Sequence, residues 1–182
     1  MQLSRKNFKS YAGIGSRETP KDICLYMTAI AKRLASLGYT CNSGGADGAD
    51  AAFERGAVIN RQIFLPWNGF NKRDIVILTK LHGEGSYLVP EFNADLVQKY
   101  HPKPAALSDA GWKFMSRNSY QVLGKDLNTP VEFVLCWTQD GKASGGTGQA
   151  LRIAKDRGIP IFNFYDGYEK FSNFMTMTLL ST

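Results

Sequence analysis

Three glycine-bearing segments, each placed after an apolar run that predicts a β-strand, limit the fold of this chain more than any other feature. The first segment is 13–17 (GIGSR), the second is 43–50 (SGGADGAD) and the third is 144–149 (SGGTGQ). The second and third continue directly into helix-like sequence, and the first does so after Pro20. This alternation predicts an α/β fold, a Rossmann-like, doubly wound, mostly parallel sheet with helices on both faces.

The same segments indicate a phosphate-binding crevice. A glycine turn between a strand and a helix directs unpaired backbone N–H groups and the positive end of a helix dipole at one point, which suits a phosphate group. Three such turns at equivalent places predict one crevice at the carboxyl ends of the strands. The residues expected to bind the ligand there are Gly15, Ser16, Arg17, Ser43, Gly44, Gly45, Asp47, Asp50, Ser144, Gly145, Gly146, Thr147 and Gly148.

The two aspartates of the second segment have two interpretations. Asp47 and Asp50 would repel an anion if both faced it. Either they cap the helix that begins at Ala49, or they accept hydrogen bonds from sugar hydroxyls. Trp67 and Trp137 stand at predicted strand ends, where each would stack on a base or pack at the rim of the core.

Length and apolar content predict one domain without a membrane segment. The chain has 182 residues and is 43% hydrophobic, enough for a core without disulfides. Apolar runs such as 131–137 are too short to cross a bilayer, and residues 1–9 do not resemble a signal peptide. We therefore expect a cytoplasmic protein that does not contact membranes.

Cysteine and histidine usage predicts no metal site and no cofactor. Cys24, Cys41 and Cys136 are odd in number and lack the paired spacing of zinc sites, and the chain has only 2 histidines. The formal net charge of +6 predicts an anionic partner, either a nucleotide or a nucleic acid strand. Because the basic residues are dispersed, the charge does not select between these two.

The hydrophobic pattern predicts five strands, at 8–14, 39–42, 62–67, 131–138 and 159–164. Helices are predicted between Pro20 and Gly38, at 49–57, 107–123 and 150–157, and after Asp166. Residues 68–106 predict a partly ordered flap or irregular insertion, with at most one helix at 94–100.

Together the segments resemble the SLOG superfamily, which joins the DNA-processing protein DprA (Smf) and the Lonely-guy (LOG) nucleotide hydrolases. Residues 13–17 resemble the "GSR" motif of DprA, and 43–50 its "SGxAxGID" loop. Residues 114–118 (FMSRN) are similar to its "FPxRNR" segment, and 144–150 to the region around "SGxLxTA". The resemblance covers most of the chain and implies one SLOG domain over 1–182.

The resemblance also implies that Arg117 and Asn118 belong to the crevice, whereas their helix-like surroundings alone favour solvated surface. Ser119 replaces the second basic residue of the DprA motif. In the LOG motif Pro-Gly-Gly-x-Gly-Thr-x-x-Glu, Ser144 replaces the proline, and Gln149 stands nearest the catalytic glutamate. The acidic residues that would have to substitute for it are Asp47, Asp50, Glu54 and Glu132.

Three functions follow, of which we favour the first. In the first, the protein binds a nucleotide or an ADP-ribose-like molecule, for sequestration or sensing, and Ser16, Arg17, Ser43 and Thr147 contact its phosphate. The alternatives are a LOG-like N-glycosidic hydrolase of nucleoside monophosphates and a DprA-like module that binds single-stranded DNA. A stand-alone core of this kind resembles those of bacteriophages and mobile elements. Edge strands and the apolar segment 171–180 predict at least a homodimer.

Overall fold

Six strands form one sheet in which every pair is parallel. The structure is a computed structural model that describes residues 9–180, with the backbone alone at 179 and 180. Across the sheet the order is β4-β3-β2-β1-β5-β6. The strands are β1 (Ser10–Gly15), β2 (Thr40–Ser43), β3 (Arg61–Phe64), β4 (Tyr87–Leu88), β5 (Phe133–Trp137) and β6 (Ile161–Asn163). The predicted fold class is confirmed; Phe8, where the first strand was expected to begin, and most of 1–9 lie outside the described residues.

Within residues 9–180, seven helices accompany the sheet. They are α1 (Lys21–Ser36), α2 (Ala49–Ala57), α3 (Ile75–His82), α4 (Ala94–Tyr100), α5 (Asp109–Leu123), α6 (Gly148–Asp156) and α7 (Glu169–Leu180). Helices α1, α2 and α7 pack on one face with the core of that side, and α4, α5 and α6 pack on the other. This two-sided arrangement is the doubly wound form.

Residues of β1 alternate between the two cores. Tyr11 packs beneath α1 and α2, whereas Ala12 and Ile14 pack beneath α5 and α6. A Cβ atom at Gly13 would lie 2.5 Å from Cγ of Phe53, so glycine lets α2 approach the strand. The period of two in the sequence of β1 therefore sets which helices each side chain meets.

The connections reverse direction between β1 and β5. From β1 the chain runs through α1 to β2 on one side, and from β5 it runs through α6 to β6 on the other. Gly15 at the end of β1 is in register with Trp137 at the end of β5. Such a switch point leaves a crevice at the carboxyl ends of the two strands, where ligands of open α/β sheets bind.

Residues 68–106 are more regular than the sequence predicts. The expected helix is present as α4, but the region also contains α3 and β4, together with 3-10 turns at Phe70–Lys72 and Pro104–Ala106. The pattern missed α3 because its apolar residues run continuously and none of its residues is buried. It missed β4 because that strand has only 2 residues, paired with Ile63 and Phe64 of β3.

Within residues 9–180, no helix is both long enough and apolar enough to cross a lipid bilayer. Nor does this part of the chain group three or more His, Cys, Asp or Glu side chains as a metal site would. Cys24, Cys41 and Cys136 are free thiols. Burial raises the pKa of Cys41 and that of Cys136 to about 12, so both remain protonated near neutral pH.

Candidate functional site

A cleft of about 420 Å³ opens at the carboxyl ends of β1 and β5. Its walls come from the first and third glycine segments, the start of α2 and one side of α5. Most of the residues predicted from the sequence line it. They are Gly15, Ser16, Arg17, Asp50, Arg117, Asn118, Ser144, Gly145, Gly146 and Thr147.

Three hydrogen bonds join the elements around the cleft. The Ser16 N–H donates to the Trp137 carbonyl at 3.0 Å, which ties the first segment to β5. The Ser16 carbonyl accepts from the Ala49 N–H at 3.2 Å, which ties it to α2. The Asn118 side chain donates through Nδ2 to the Gly146 carbonyl at 2.5 Å, which ties α5 to the third segment.

Two arginines that line the cleft lie near one buried aromatic ring, Phe70, which is outside the cleft lining. The Cζ atom of Arg17 lies 6.0 Å from the centre of the Phe70 ring, and that of Arg117 lies 5.9 Å from it. The Arg117 guanidinium also lies 5.8 Å from the centre of the Phe114 ring. Arg17 is exposed and Arg117 is buried. Two cations gathered in this way create a positive potential that favours an anion.

Arg117 is buried in surroundings that disfavour its positive charge. Burial lowers the pKa of Arg117 to about 10, Asp50 opposes this shift, and the charge of Arg17 adds to it. Its Nη1 atom lies 3.7 Å from Oδ2 of Asp50 and donates to the Phe64 carbonyl at 3.4 Å. Its Nε atom is buried without a hydrogen-bond partner. A buried guanidinium with an unsatisfied donor is a candidate for contact with a ligand.

Asp50 is the acidic side chain that lines the cleft. Burial raises the pKa of Asp50 to about 6, while the Arg117 charge and hydrogen bonds from the backbone N–H groups of Ala46 and Gly15 act in the opposite direction. The carboxylate accepts from the Ala46 N–H at 3.4 Å. Asp50 is thus ionised at neutral pH, with Arg117 as its counter-charge.

The third segment presents its backbone to the cleft. Gly145 and Gly146 are exposed, and a Cβ atom at either would meet no atom within 4 Å. Within residues 9–180, no acceptor receives the N–H groups of Gly145, Gly146 or Thr147. These groups precede the N-terminus of α6, where backbone donors and the helix dipole together favour an anion.

The first two residues of the second segment, Ser43 and Gly44, contact residues of the cleft region without lining the cleft. Ser43 is completely buried, and its hydroxyl donates to the Gly13 carbonyl at 2.6 Å rather than facing a phosphate. A Cβ atom at Gly44 would lie 1.3 Å from Nη1 of Arg117, so the guanidinium packs directly on this glycine. Ser43 and Gly44 therefore lie outside the cleft lining and contact β1 and Arg117 instead.

The other predicted residues outside the cleft lining have structural contacts of their own. The Gly45 carbonyl accepts from the Asn71 side chain at 3.2 Å, and exposed Asp47 accepts from it at 3.0 Å. Gly148 is buried at the start of α6. Neither Asp47 nor Asp50 caps α2, because Gly48 with a φ of 72° occupies the cap position.

Of the acidic residues that could substitute for a LOG-like glutamate, Asp50 lines the cleft, whereas Asp47, Glu54 and Glu132 do not. Glu54 pairs with Nη2 of Arg73 at 2.9 Å and accepts from the Tyr87 hydroxyl at 2.7 Å. Glu132 precedes β5, at the opposite edge of the sheet from the cleft. Gln149 is completely buried, and its Nε2 donates to the Leu96 carbonyl at 3.2 Å. Gln149 therefore does not line the cleft.

Sequence reasoning missed several lining residues. The α5 members are Gly111, Phe114, Met115 and Gln121, and the others are Ile14, Ala46, Thr138 and Gln139. Counting three or four residues along the helix from Asn118 would have found the α5 members. Trp67 packs on Phe114 at a ring-centre distance of 5.1 Å and Trp137 belongs to the core, so neither lines the cleft.

No family model matches the chain, and no curated protein matches it. Among solved structures, the chain is similar to DNA processing protein A from Helicobacter pylori, which binds single-stranded DNA. The two are 17% identical with a TM-score of 0.57, and the match covers 86% of this chain and 65% of that chain. The chain thus has a DprA-like, Rossmann-like fold that spans about two thirds of that neighbour's length.

Proposed function

We propose that the cleft binds a nucleotide or nucleotide-derived molecule, such as an ADP-ribose-like species, through its phosphate groups. One observation carries this proposal. Arg17 and Arg117, whose guanidinium groups both lie near the Phe70 ring, line the cleft together with residues 145–147, whose N–H groups have no acceptor within residues 9–180. Guanidinium groups and free backbone donors at a switch point together match the charge and geometry of phosphate.

The rest of the cleft suits the remainder of such a ligand. Phe114 and Met115 offer apolar surface for a base, and Thr138 and Gln139 offer polar groups for a sugar. The volume of about 420 Å³ falls within the roughly 300–1,000 Å³ that small-molecule sites occupy. Retention of the nucleotide, for sequestration or sensing, is the use we propose.

A hydrolase of LOG type is the competing use of the same cleft. Cleavage of an N-glycosidic bond needs a carboxylate that activates water or stabilises the oxocarbenium-like centre. Asp50 is the carboxylate that a ligand in the cleft would meet, and its counter-charge Arg117 lies 3.7 Å away. This pairing supports binding over hydrolysis.

Calorimetry with AMP, ADP and ADP-ribose tests the proposal. We expect saturable binding that weakens about 10- to 100-fold in Arg17→Gln, because a charge-assisted hydrogen bond contributes about 1.5–3 kcal/mol. Arg33→Gln removes the same charge from the far end of α1 and is the matched control. Equal affinities in the two variants would contradict the proposed site.

Chromatography separates binding from hydrolysis. We expect no free base from AMP, CMP, NMN or ADP-ribose over hours of incubation. Base release that disappears in Asp50→Asn would overturn the binding proposal in favour of the hydrolase. Mass spectrometry of small molecules released from the denatured protein would identify the base and the number of phosphates.

Single-stranded DNA is a second candidate ligand, which the similarity to the Helicobacter pylori protein and the net charge of +6 favour. A strand that contacts several basic residues through its phosphates binds with a steep salt dependence, about 0.7 logarithmic units per contact. Binding of a single nucleotide depends only weakly on salt concentration, because it makes few phosphate contacts. Tight binding of an oligonucleotide with a slope of several units would establish this second function.

Assembly and family are part of the same proposal. We infer a single SLOG domain that acts in the cytoplasm as a homo-oligomer. Val76, Ile77 and Leu81 on α3 support self-association, since between 58% and 69% of each is exposed. Light scattering that shows a strict monomer at micromolar concentration would contradict it.

A further inference from the structure

A second cleft, of about 350 Å³, lies on the other side of the chain segment that follows β5. Thr138, Gln139 and residues 144–147 line the first cleft, whereas residues 141–143 line the second. The remaining walls come from α6, β6 and the turn that leads into α7. One short segment of backbone therefore separates two concave surfaces.

The second cleft is positively charged. Lys142, Lys155 and Lys170 line it, against the single acidic residue Asp166. The ion pairs in the described part of the chain are Arg73–Glu54, Lys99–Asp156 and Arg117–Asp50, so none involves these three lysines. Ammonium groups that line one concave surface without ion pairs raise the local concentration of anions.

An exposed aromatic ring outside the lining of the second cleft packs on one of the lining residues, Gly141. Tyr165 is 53% exposed, and a Cβ atom at Gly141 would lie 2.8 Å from its Cδ1 atom. The ring thus packs on Gly141, whose φ of 69° favours glycine, and keeps much of its surface open to solvent. Aromatic rings next to basic side chains are the surfaces on which nucleotide bases stack.

We propose that this second cleft is a separate binding site for a phosphate group of a nucleotide ligand. Lys142, Lys155 and Lys170 neutralise the phosphate, and Tyr165 stacks on the adjoining base. The phosphate comes either from a second free nucleotide or from the same strand as a nucleotide held in the first cleft. The site stands on its own residues and does not depend on the function proposed for the first cleft.

Backbone NMR with inorganic phosphate as the probe, and chloride at equal ionic strength as the reference, tests the site. We expect saturable shifts at the amides of Gly141 and Gly167, which line the second cleft. In Lys142→Gln/Lys170→Gln these shifts should disappear, or require at least tenfold more phosphate. Lys32→Gln/Lys125→Gln removes the same charge from exposed positions outside the cleft lining and should titrate as wild type.

Two results overturn the proposal. One is the absence of saturation at Gly141 and Gly167. The other is an equal response in both double variants, which would reduce the effect to overall charge. The response of Gly145 and Gly146 in the same spectra reports on the first cleft, so failure of one site is distinguishable from failure of the other.

AMP and a ten-residue oligothymidylate distinguish the two sources of phosphate. If one strand occupies both clefts, the oligonucleotide binds at least tenfold more tightly than AMP, because linking two contacts raises the effective concentration of the second. Its salt slope then falls by about 1.4 in Lys142→Gln/Lys170→Gln, at about 0.7 per lost contact. If separate nucleotides bind, AMP gives two molecules per chain in wild type and one in that variant.

Discussion

The second and third glycine segments, at the end of β2 and in the loop after β5, begin with the same tripeptide, Ser-Gly-Gly, and differ in burial. Ser43, Gly44 and Gly45 are buried, whereas Ser144, Gly145 and Gly146 are exposed. In both loops glycine allows something to come close to the backbone. In the second segment the Arg117 side chain packs on Gly44. In the third segment no atom lies within 4 Å of a Cβ at Gly145 or Gly146, so a ligand has room to approach. The same tripeptide thus positions Arg117 in the second segment and leaves backbone N–H groups without acceptors in the third.

The largest effect that tests this difference is expected at Gly44. Valine there would displace Arg117, since even a Cβ atom would lie 1.3 Å from Nη1. We expect AMP affinity to fall at least about 100-fold through loss of a charged contact, and the free energy of unfolding to fall by about 1–3 kcal/mol through overpacking. Calorimetry and thermal unfolding measure the two quantities.

Gly146→Ala is the matched change in the third segment. Because its Cβ atom would meet nothing within 4 Å, the melting temperature should be unchanged and AMP affinity should fall less than tenfold. Normal AMP binding by a folded Gly44→Val variant would show that Arg117 does not contact the ligand.

The next effect concerns pH and Asp50. Burial raises the pKa of Asp50 from 3.8 to about 6 in the folded protein. Its contribution to stability is therefore fully present below about pH 4 and is lost as the pH rises through 6. Relative to wild type, Asp50→Asn should gain about 2–3 kcal/mol between pH 4 and pH 7. Urea unfolding at four pH values measures this change.

Asp140, in the loop before the third segment, is the control. Hydrogen bonds from the Lys142 N–H and the Ser144 hydroxyl lower the pKa of Asp140. Its contribution is lost only as the pH falls below about 4, so Asp140→Asn and wild type should run parallel from pH 4 to 7. If Asp50→Asn also runs parallel, the Arg117 charge outweighs the burial of that carboxylate.

A smaller effect separates the serine of the second segment from the threonine of the third. Ser43→Ala removes a buried hydrogen bond of 2.6 Å to the Gly13 carbonyl. It should lower the free energy of unfolding by about 1–2 kcal/mol and change AMP affinity less than twofold. Thr147→Ala, at the cleft wall, should weaken AMP binding severalfold at constant stability. If Ser43→Ala instead weakened AMP binding and Thr147→Ala lowered stability, the second segment would bind the ligand and the third would be structural.

The smallest effect is expected at Asn118. Its side chain donates to the Gly146 carbonyl at 2.5 Å and holds the third segment against α5. Asn118→Ala should lower AMP affinity about fivefold, since one neutral hydrogen bond contributes about 1 kcal/mol. Hydrogen exchange should become faster at Gly145 and Gly146. Asn128→Ala, whose side chain bonds within an exposed turn, should change neither.

Local patterning predicted the fold and the first and third segments well. In both, glycines stand at or after the end of an apolar strand and before a helix, and this order is visible without any tertiary information. The burial of Ser43 was not visible, because it depends on the pairing of β2 with β1, where the Ser43 hydroxyl donates to the Gly13 carbonyl 30 residues away. The same holds for Gln149, whose partner Leu96 lies 53 residues away.

Residues 68–106 were predicted least well, and their Phe70 ring lies beside both arginines of the cleft. Phe70 belongs to a 3-10 turn in which Asn71 and Lys72 have φ values of 50° and 61°. Non-glycine residues rarely adopt this backbone, so local propensity does not predict the turn. Arg117 and Asn118 entered the predicted site only through resemblance, because a helical period alone does not show that a ligand cleft lies beside a helix.

The pairing of β1 with β5 sets the time at which the cleft is completed during synthesis. Gly15 and Trp137 are in register although 122 residues separate them. A ribosome that adds about 5–20 residues per second makes β1 wait roughly 6–24 s for this neighbour. Until then the apolar edge that β5 will cover is open to other chains. A ligand that binds the completed cleft would stabilise the finished protein and leave the nascent chain unprotected through most of its synthesis.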